Sequence, residues 1–182
     1  MKVIKTPFAG LFILEPVLMK DNRGFFFESY NKKSLQQSGI NVEFVQDNQS
    51  FSVKNVIRGL HFQRPPHAQV KLVRALSGVI MDVVVDLRKD QPTYKKSFSI
   101  EISAENCKQV FVPVGFAHGF SVLSASAEIQ YKCNDHYFPP HEGGIIFSDP
   151  DLNIDWKVNT NEALVSNKDM QLPLLSGFSS PF

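Results

Sequence analysis

The sequence contains little cysteine, no long apolar run and no excess of charge of one sign. Only Cys107 and Cys133 occur among 182 residues, which provides neither a disulfide framework nor a metal-binding spacing. We expect both thiols to be reduced and buried. The apolar stretch over residues 1–16 is interrupted by proline and glycine, is too short for a membrane span and has no convincing cleavage site. These features predict a soluble cytoplasmic protein with no membrane partner.

The charges are balanced along the chain. Nineteen basic and 18 acidic residues are mixed throughout and give a formal net charge of +1. Such a mixture produces no field that would recruit nucleic acid, whereas a small anionic ligand is compatible with it. The sequence also lacks a phosphate-binding glycine loop, a dinucleotide-binding fingerprint and a cysteine nucleophile in a known motif.

Apolar residues are plentiful, and they alternate. They make up 43% of the chain and include 16 phenylalanines, enough for one core in a single domain over residues 1–182. Many short alternating segments with closely spaced turn signals predict a mainly β antiparallel sandwich or barrel, which commonly holds one small ligand. We expect strands at 25–30 and 42–49, a short helix at 33–39 and one helical turn between 159 and 175.

The middle of the chain carries charged residues inside apolar segments. Residues 70–76 and 79–87 are rich in β-branched and aliphatic residues, and Ser77-Gly78 separates them, which predicts two paired strands and a tight turn. Alternation gives Lys71 and Asp82 apolar neighbours on their strand faces. Because a charge in an apolar interior needs a partner, we expect these two to form an ion pair, with either a structural or a functional role.

Other titratable side chains point inward by the same alternation. His61 shares a face with Gly59 and Gln63, and His118 shares a face with apolar residues. Tyr131 also points toward the interior. A single histidine on an apolar face is more often satisfied structurally than catalytic, but two histidines with a lysine and a tyrosine favour a function.

This set of side chains suits proton transfer next to a ketone. Such a reaction needs a base that titrates near neutrality, a group that stabilises the enolate oxygen, and an acid on the opposite face. His61, Lys71 and Tyr131 match these three requirements. A carboxylate that fixes the histidine tautomer completes the set, and either Asp169 or Asp82 is a candidate.

A metal-dependent enzyme is the main alternative. Histidines in small β-barrels often bind iron, manganese or zinc through three or four ligands. Here Gln63 stands where a second histidine would follow His61, no glutamate appears in the next several residues, and only His118 keeps a ligand-like setting. The remaining histidines fall in turns and loops, and we expect them to face solvent: His67, His136 and His141.

Several motifs, in order and spacing, resemble one family over nearly the whole chain. They are RGLHFQ, QVKLVRALSGVIMDVVVDLRKDQPTY, PVGFAHGF, the YK pair at Tyr131 and the SNKD segment. The chain resembles dTDP-4-dehydrorhamnose 3,5-epimerases. The resemblance implies a cupin-type jelly roll, a homodimer, and cofactor-independent and metal-free epimerisation of dTDP-4-dehydro-6-deoxy-glucose at carbons 3 and 5, in dTDP-rhamnose synthesis.

The same resemblance implies a role for each catalytic candidate. His61 matches the base and Asp169 the carboxylate that orients it. Tyr131 matches the general acid, and Lys71 the group that stabilises the enolate, with Asp82 beside it. Relatives that epimerise carbon 3 alone share the same base and acid, so a C3-only epimerase stays an alternative, as does a cupin-like module that binds a sugar nucleotide without turnover.

The resemblance also implies ligand-binding residues. His118 matches a pocket residue, and His136 stands where the family usually has a tyrosine or phenylalanine near the nucleotide sugar. Arg58 falls on the face opposite to His61, so we predict irregular backbone at Gly59. The remaining candidates fall into two groups: Arg23, Phe26 and Glu28 from the partner subunit toward the nucleotide, and Gln46, Asn48 and Arg58 toward the diphosphate or base.

Overall fold

The computed structural model describes residues 1–182 as a succession of short strands with two brief α-helices. No helix has the length and apolar character that crossing a bilayer requires. Both cysteines are buried and free, as predicted. The elements are β1 Lys2–Lys5, β2 Phe12–Glu15, β3 Met19–Asp21, β4 Gly24–Phe26, α1 Lys32–Gln37, β5 Gln46–Val53, β6 Ile57–Gln63, β7 Lys71–Ser77, β8 Val79–Asp86, β9 Ser97–Ser103, β10 Gln109–Val112, β11 Phe116–Val122, β12 Ser126–Cys133, β13 Glu142–Gly144 and α2 Asn167–Met170.

The strands form two antiparallel sheets that pack face to face. One sheet has the order β1-β2-β10-β7-β12-β5 and the other has the order β13-β6-β11-β8-β9, while β3 and β4 form a separate hairpin. Between the sheets lies an apolar core that includes Val73, Ile80, Ile102 and Ile129. The predicted mainly β sandwich with a few short helices is therefore confirmed.

Further layers cover the outer faces of both sheets. Leu35 of α1 packs on Phe111 of the six-stranded sheet. The segment after β13 packs Trp156 and Leu175 on the five-stranded sheet. Strand β8 is consequently buried on both faces, which explains why its sequence is almost continuously apolar.

The predicted hairpin of strands 70–76 and 79–87 is wrong, although both strands form. Strand β7 pairs with β10 and β12, whereas β8 pairs with β9 and β11, so the chain passes from one sheet to the other at Gly78. A turn signal predicts a reversal of the chain, but it does not determine which strands then pair. Gly78 has a φ of +73°, and a Cβ there would overlap the carbonyl oxygen of Ser126.

Three predicted boundaries in the first third differ from the structure by different amounts. Helix α1 lies within two residues of its prediction, and the side chain of Asn31 caps it by accepting a hydrogen bond from the Ser34 N–H at 3.2 Å. The strand predicted at 25–30 ends at Phe26. The strand predicted at 42–49 starts only at Gln46, because the preceding apolar residues pack irregularly around α1.

The irregular backbone predicted at Gly59 is confirmed. The register between β6 and β11 shifts between His118 and Phe120. Gly59 has a φ of +127°, and a Cβ at this position would lie 2.5 Å from the Cα of Gly119. Glycine is therefore required at residue 59, and the shift lets Arg58 and His61 reach the same cavity.

Candidate active site

Two cavities open between the sheets, and three polar residues line both of them. The larger has a volume of about 690 Å³ and the smaller about 340 Å³. His61, Lys71 and Tyr131 belong to both linings. These three form the junction of one continuous site.

The polar side chains come from opposite walls of the sandwich. Lys71 on β7 and Tyr131 on β12 belong to the six-stranded sheet, whereas His61 on β6 and His118 on β11 belong to the five-stranded sheet. All four line the larger cavity. The inward direction that alternation predicted for these side chains is therefore confirmed.

Asp169 binds His61 and the backbone beside it. Its Oδ1 lies 2.9 Å from Nε2 of His61, and its Oδ2 accepts the N–H of Gly59 at 3.0 Å. Helix α2 begins at this point because the Ser166 hydroxyl accepts the Asp169 N–H. Since Nε2 faces a carboxylate, the neutral imidazole carries its proton there and keeps a free lone pair on Nδ1.

Opposing effects set the pKa of the Asp169 carboxyl, which is only 3% exposed. Burial raises this pKa, but the hydrogen bonds from His61 and the Gly59 N–H outweigh burial and hold it below the ordinary value. Asp169 is therefore ionised at neutral pH. It is able to stabilise a positive charge that forms on His61.

The predicted ion pair between Lys71 and Asp82 is wrong. Asp82 binds His118 instead, with its Oδ2 2.7 Å from Nε2, and its other oxygen has no partner. The two residues were expected on paired strands, but β7 and β8 lie in opposite sheets. His118 lies diagonally across the β8–β11 pairing from Asp82, which is directly opposite Phe120. Asp82 therefore orients His118.

Lys71 points into the site without a fixed partner. Burial lowers the pKa of its ammonium group, and the electrostatic influence of Cys133, Glu142 and Asp82 offsets only part of that effect. Its Nζ lies 5.8 Å from the centre of the Tyr131 ring. An amine in this position, without an ion-pair partner, is available to a developing negative charge.

Tyr131 is half-buried on the same wall as Lys71, opposite His61. Burial raises the pKa of its phenol, and Cys133, Glu142 and Tyr137 add to the increase while Arg58 opposes it. The phenol is therefore protonated at neutral pH. It is a proton donor that faces the imidazole side of the cavity.

Three residues that the sequence did not reveal meet at the cavity rim. Glu142 accepts hydrogen bonds from the Tyr137 hydroxyl at 2.6 Å and from the Lys168 ammonium at 2.5 Å. Burial raises the pKa of Glu142, but these two partners together keep it below its ordinary value. Tyr137 and Glu142 line the smaller cavity and Lys168 lines the larger. They lie in a loop, a three-residue strand and a helical turn, where alternation gives no signal.

His136 does not reach the site. Its side chain is exposed and lines neither cavity, whereas the next residue, Tyr137, lines the smaller one. The aromatic side chain that lines this cavity thus lies one position further along the chain than residue 136. His67 also departs from the expected solvent exposure, because its ring stacks on Phe138 at 4.3 Å and its Nδ1 lies 3.2 Å from Asp135.

The candidate ligand-binding residues fall into two places. Gln46 and Asn48 line the smaller cavity, and Arg58 lines the larger, where its Nε donates to Ser52 at 3.0 Å. The other three, Arg23, Phe26 and Glu28, line neither cavity of their own chain, and the hairpin that carries the first two is exposed.

No group of three or more histidine, cysteine, aspartate or glutamate side chains is arranged to hold a metal ion. The two inward histidines each bind one carboxylate, at 2.9 Å for His61 and 2.7 Å for His118. The metal-dependent alternative therefore has no ligand set among these side chains.

Known proteins are similar to this chain over nearly its whole length. A family model described as dTDP-4-dehydrorhamnose 3,5-epimerase matches residues 5–177. The Shigella flexneri enzyme of that name is 50% identical over 171 residues, which cover 93% of each chain.

Solved structures extend the comparison to the fold. The Bacillus anthracis enzyme, with TDP and PPi bound, is 48% identical with a TM-score of 0.93, and the match covers 96% of this chain and 99% of that one. The Legionella pneumophila epimerase in complex with dTDP-4-keto-L-rhamnose is 44% identical with a TM-score of 0.92, over 98% of this chain and 94% of the other. The sandwich is thus the cupin-type jelly roll that the motifs implied, and the chain belongs to the dTDP-4-dehydrorhamnose 3,5-epimerase family of isomerases.

Proposed function

We propose that this chain converts dTDP-4-dehydro-6-deoxy-D-glucose to dTDP-4-dehydro-L-rhamnose by epimerisation at carbons 3 and 5, without a cofactor or metal, in dTDP-rhamnose synthesis. The observation that carries the proposal is the position of the base and the acid. His61 and Tyr131 lie on opposite sheets and line one cavity. Epimerisation requires a proton to leave one face of a carbon and another to arrive on the opposite face.

In the first half of the reaction, Nδ1 of His61 removes the proton from the carbon next to the ketone. The electron pair of the broken C–H bond forms a C=C bond, and the carbonyl π electrons move to the oxygen. Lys71 stabilises the resulting enolate oxygen, and ionised Asp169 stabilises the imidazolium. His118, oriented by Asp82, adds a polar contact in the same cavity.

In the second half, the enolate collapses to the ketone and the carbon takes a proton from the Tyr131 phenol. The phenol reaches the ring from the wall opposite to His61, so the configuration at carbon inverts. Transfer of the proton from the imidazolium to solvent and from solvent to the phenolate restores the starting state. The same sequence then operates at the second carbon on the other side of the ketone.

The smaller cavity supports a nucleotide site. Gln46 and Asn48 offer amide groups, and Arg58 at the adjoining rim offers a guanidinium with a free edge for diphosphate oxygens. Tyr137 supplies an aromatic ring for the nucleoside. His136 has no part in this arrangement.

A homodimer is part of the proposal. The β3–β4 hairpin exposes Met19, Phe25 and Phe26 by more than half of their surface, which is unusual for large apolar side chains and typical of an interface. We infer that Arg23, Phe26 and Glu28 enter the site of the partner subunit.

Residues 1–182 form one domain in this proposal, and the enzyme works in the cytoplasm.

Mixing two inactive variants tests the dimer. His61→Ala removes the base of its own site, and Arg23→Ala removes a contact donated to the partner. If the hairpin acts in the partner site, mixed dimers contain one intact site, and refolding an equal mixture restores about a quarter of the wild-type activity. Activity no higher than that of the two variants separately contradicts the dimeric site.

Proton NMR of dTDP-4-dehydro-6-deoxy-D-glucose in deuterated water tests the reaction. Wild-type protein is expected to remove the signals of the protons at carbons 3 and 5 and to produce the rhamno configuration. His61→Ala abolishes this exchange, and His136→Ala, at an exposed position, leaves it unchanged. Loss of the carbon 3 signal alone establishes a C3-only epimerase. Binding of dTDP without any exchange establishes a module that binds without turnover.

A further inference from the structure

Gln63 is a buried amide whose polar atoms all bind the backbone of the loops around the smaller cavity. It lies on β6, two residues after His61, and is only 4% exposed. Its Nε2 donates to the carbonyl of His67 at 2.8 Å and to the carbonyl of His136 at 3.2 Å. Its Oε1 accepts the N–H of Phe138 at 2.6 Å. The amide therefore has little capacity left to bind a ligand.

The bound groups flank one aromatic residue. The carbonyl of His136 and the N–H of Phe138 belong to the peptide units immediately before and after Tyr137. Fixing both units fixes the Cα of Tyr137 and the direction of its side chain. The hydroxyl of Tyr137 then reaches Glu142 on the rim.

We propose that Gln63 is a positioning residue, which acts through Tyr137 to hold the nucleotide-binding wall at a fixed distance from His61. The inference rests on the proposed function, because it assigns the smaller cavity to the nucleotide. Strand β6 carries both His61 and Gln63. The spacing of these two residues along the strand therefore sets the distance between the sugar at His61 and the nucleotide at Tyr137.

Neighbouring amides assist, but they do not replace Gln63. Gln46 accepts the N–H of Tyr137 at 2.9 Å, and Gln69 donates to the carbonyl of Asp135 at 2.8 Å. Each forms a single bond to this loop, whereas Gln63 forms one bond on each side of Tyr137. A glutamate at residue 63 keeps an oxygen that accepts the Phe138 N–H, but its second oxygen faces the carbonyls of His67 and His136 and has no hydrogen to donate to them. An amide is therefore required.

The main variant is Gln63→Leu, and the matched control is Gln109→Leu. Gln109 is another buried glutamine, only 1% exposed, and it donates to the backbone carbonyl of Ser29; neither residue lines either cavity. We expect Gln63→Leu to raise KM and the Kd for dTDP about tenfold with kcat within about threefold of wild type, since unsatisfied buried groups loosen the loop. Gln109→Leu is expected to lower Tm while KM stays unchanged.

A second variant covers the case in which Gln63→Leu does not fold. Gln63→Glu preserves volume and the bond to the Phe138 N–H, and we expect it to show the same rise in KM. Equal KM values in wild type and a folded Gln63 variant overturn the inference. Equal rises in KM for the Gln63 and Gln109 variants also overturn it, because both then act through general stability.

A double-mutant cycle with Tyr137→Ala tests whether Gln63 acts through Tyr137. If it does, Gln63→Leu has no further effect on KM once the Tyr137 ring is absent. If the rise in KM of the double variant equals the product of the rises in the two single variants, Gln63 acts independently of Tyr137. That result contradicts the inference and leaves the proposed function intact. Failure of wild-type protein to bind dTDP, by contrast, overturns the proposed function and the inference together.

Discussion

The imidazole of His61 and the carboxylate of Asp169 are 108 residues apart in the sequence and 2.9 Å apart in the structure. His61 belongs to the five-stranded sheet and Asp169 to helix α2, which lies outside the sandwich. The second oxygen of Asp169 holds the backbone N–H of Gly59. The carboxylate thus connects the C-terminal segment to the strand that carries the proposed base.

Asp169→Asn tests the electrostatic part of this contact. Asparagine keeps an oxygen for the Gly59 N–H but loses the charge that stabilises an imidazolium. We expect kcat to fall by about 10²–10⁴-fold with little change in KM. Steady-state turnover measures the effect. Asp155→Asn, at an exposed site, is the control and is expected to match wild type.

Acid stability gives an independent measure of the same carboxyl. Its pKa is lower in the folded protein than the ordinary value of 3.8. A lowered folded pKa stabilises the folded state above the unfolded pKa, and this contribution disappears as pH falls through the folded pKa. We therefore expect the free energy of unfolding to fall more steeply below about pH 4 in wild type than in Asp169→Asn. Denaturant titrations from pH 6 to pH 3 measure it, and parallel curves contradict the assignment.

Tyr131→Phe separates proton removal from proton return. The variant keeps His61, Lys71 and Asp169, so enolate formation continues. Without the phenol, His61 returns a deuteron to the face from which the proton left. We expect deuterium to appear at carbon 3 with retained configuration, while inversion falls at least about 10²-fold. Proton NMR in deuterated water distinguishes the two outcomes, with Tyr94→Phe as the control. Inversion at the wild-type rate excludes Tyr131 as the acid.

Lys71→Met tests stabilisation of the enolate. Methionine has a similar length and no charge, so we expect kcat to fall by about 10²–10³-fold. Burial lowers the pKa of the Lys71 ammonium, which shows that the cation is disfavoured at this position. The variant is therefore expected to unfold at the same temperature as wild type or higher. Calorimetry and turnover measured on the same preparation check both parts. A large loss of Tm would show that Lys71 is mainly structural.

Strand alternation was sufficient to predict which way many of the side chains in the site point. Because side chains in a strand point to alternate faces, the sequence was enough to turn His61, Lys71, His118 and Tyr131 inward. The resemblance, rather than alternation, singled out Asp169 as the carboxylate, since it lies on a helical turn.

The errors have a common physical cause. The partner of Asp82 depends on which strands pair, and a local turn pattern does not specify this at Gly78. Tyr137, Glu142 and Lys168 lie in segments without a long regular repeat, so their side-chain directions depend on tertiary contacts. Gln63 was visible as an inward amide, but its hydrogen bonds to the loop required coordinates.

The crossing at Gly78 has a consequence for evolution and engineering. Because the chain changes sheet between β7 and β8, Lys71 and Tyr131 lie on one sheet and His61 lies on the other. The apolar core between the two sheets therefore determines the spacing of these side chains. Replacing Ile102 or Ile129 with a smaller apolar residue changes the packing between the sheets, and therefore the distance between His61 and Tyr131. Because both isoleucines are fully buried, the smaller residue also leaves a cavity, and turnover and melting temperature are expected to fall together. Remote interior positions thus affect the rate without altering any reactive group.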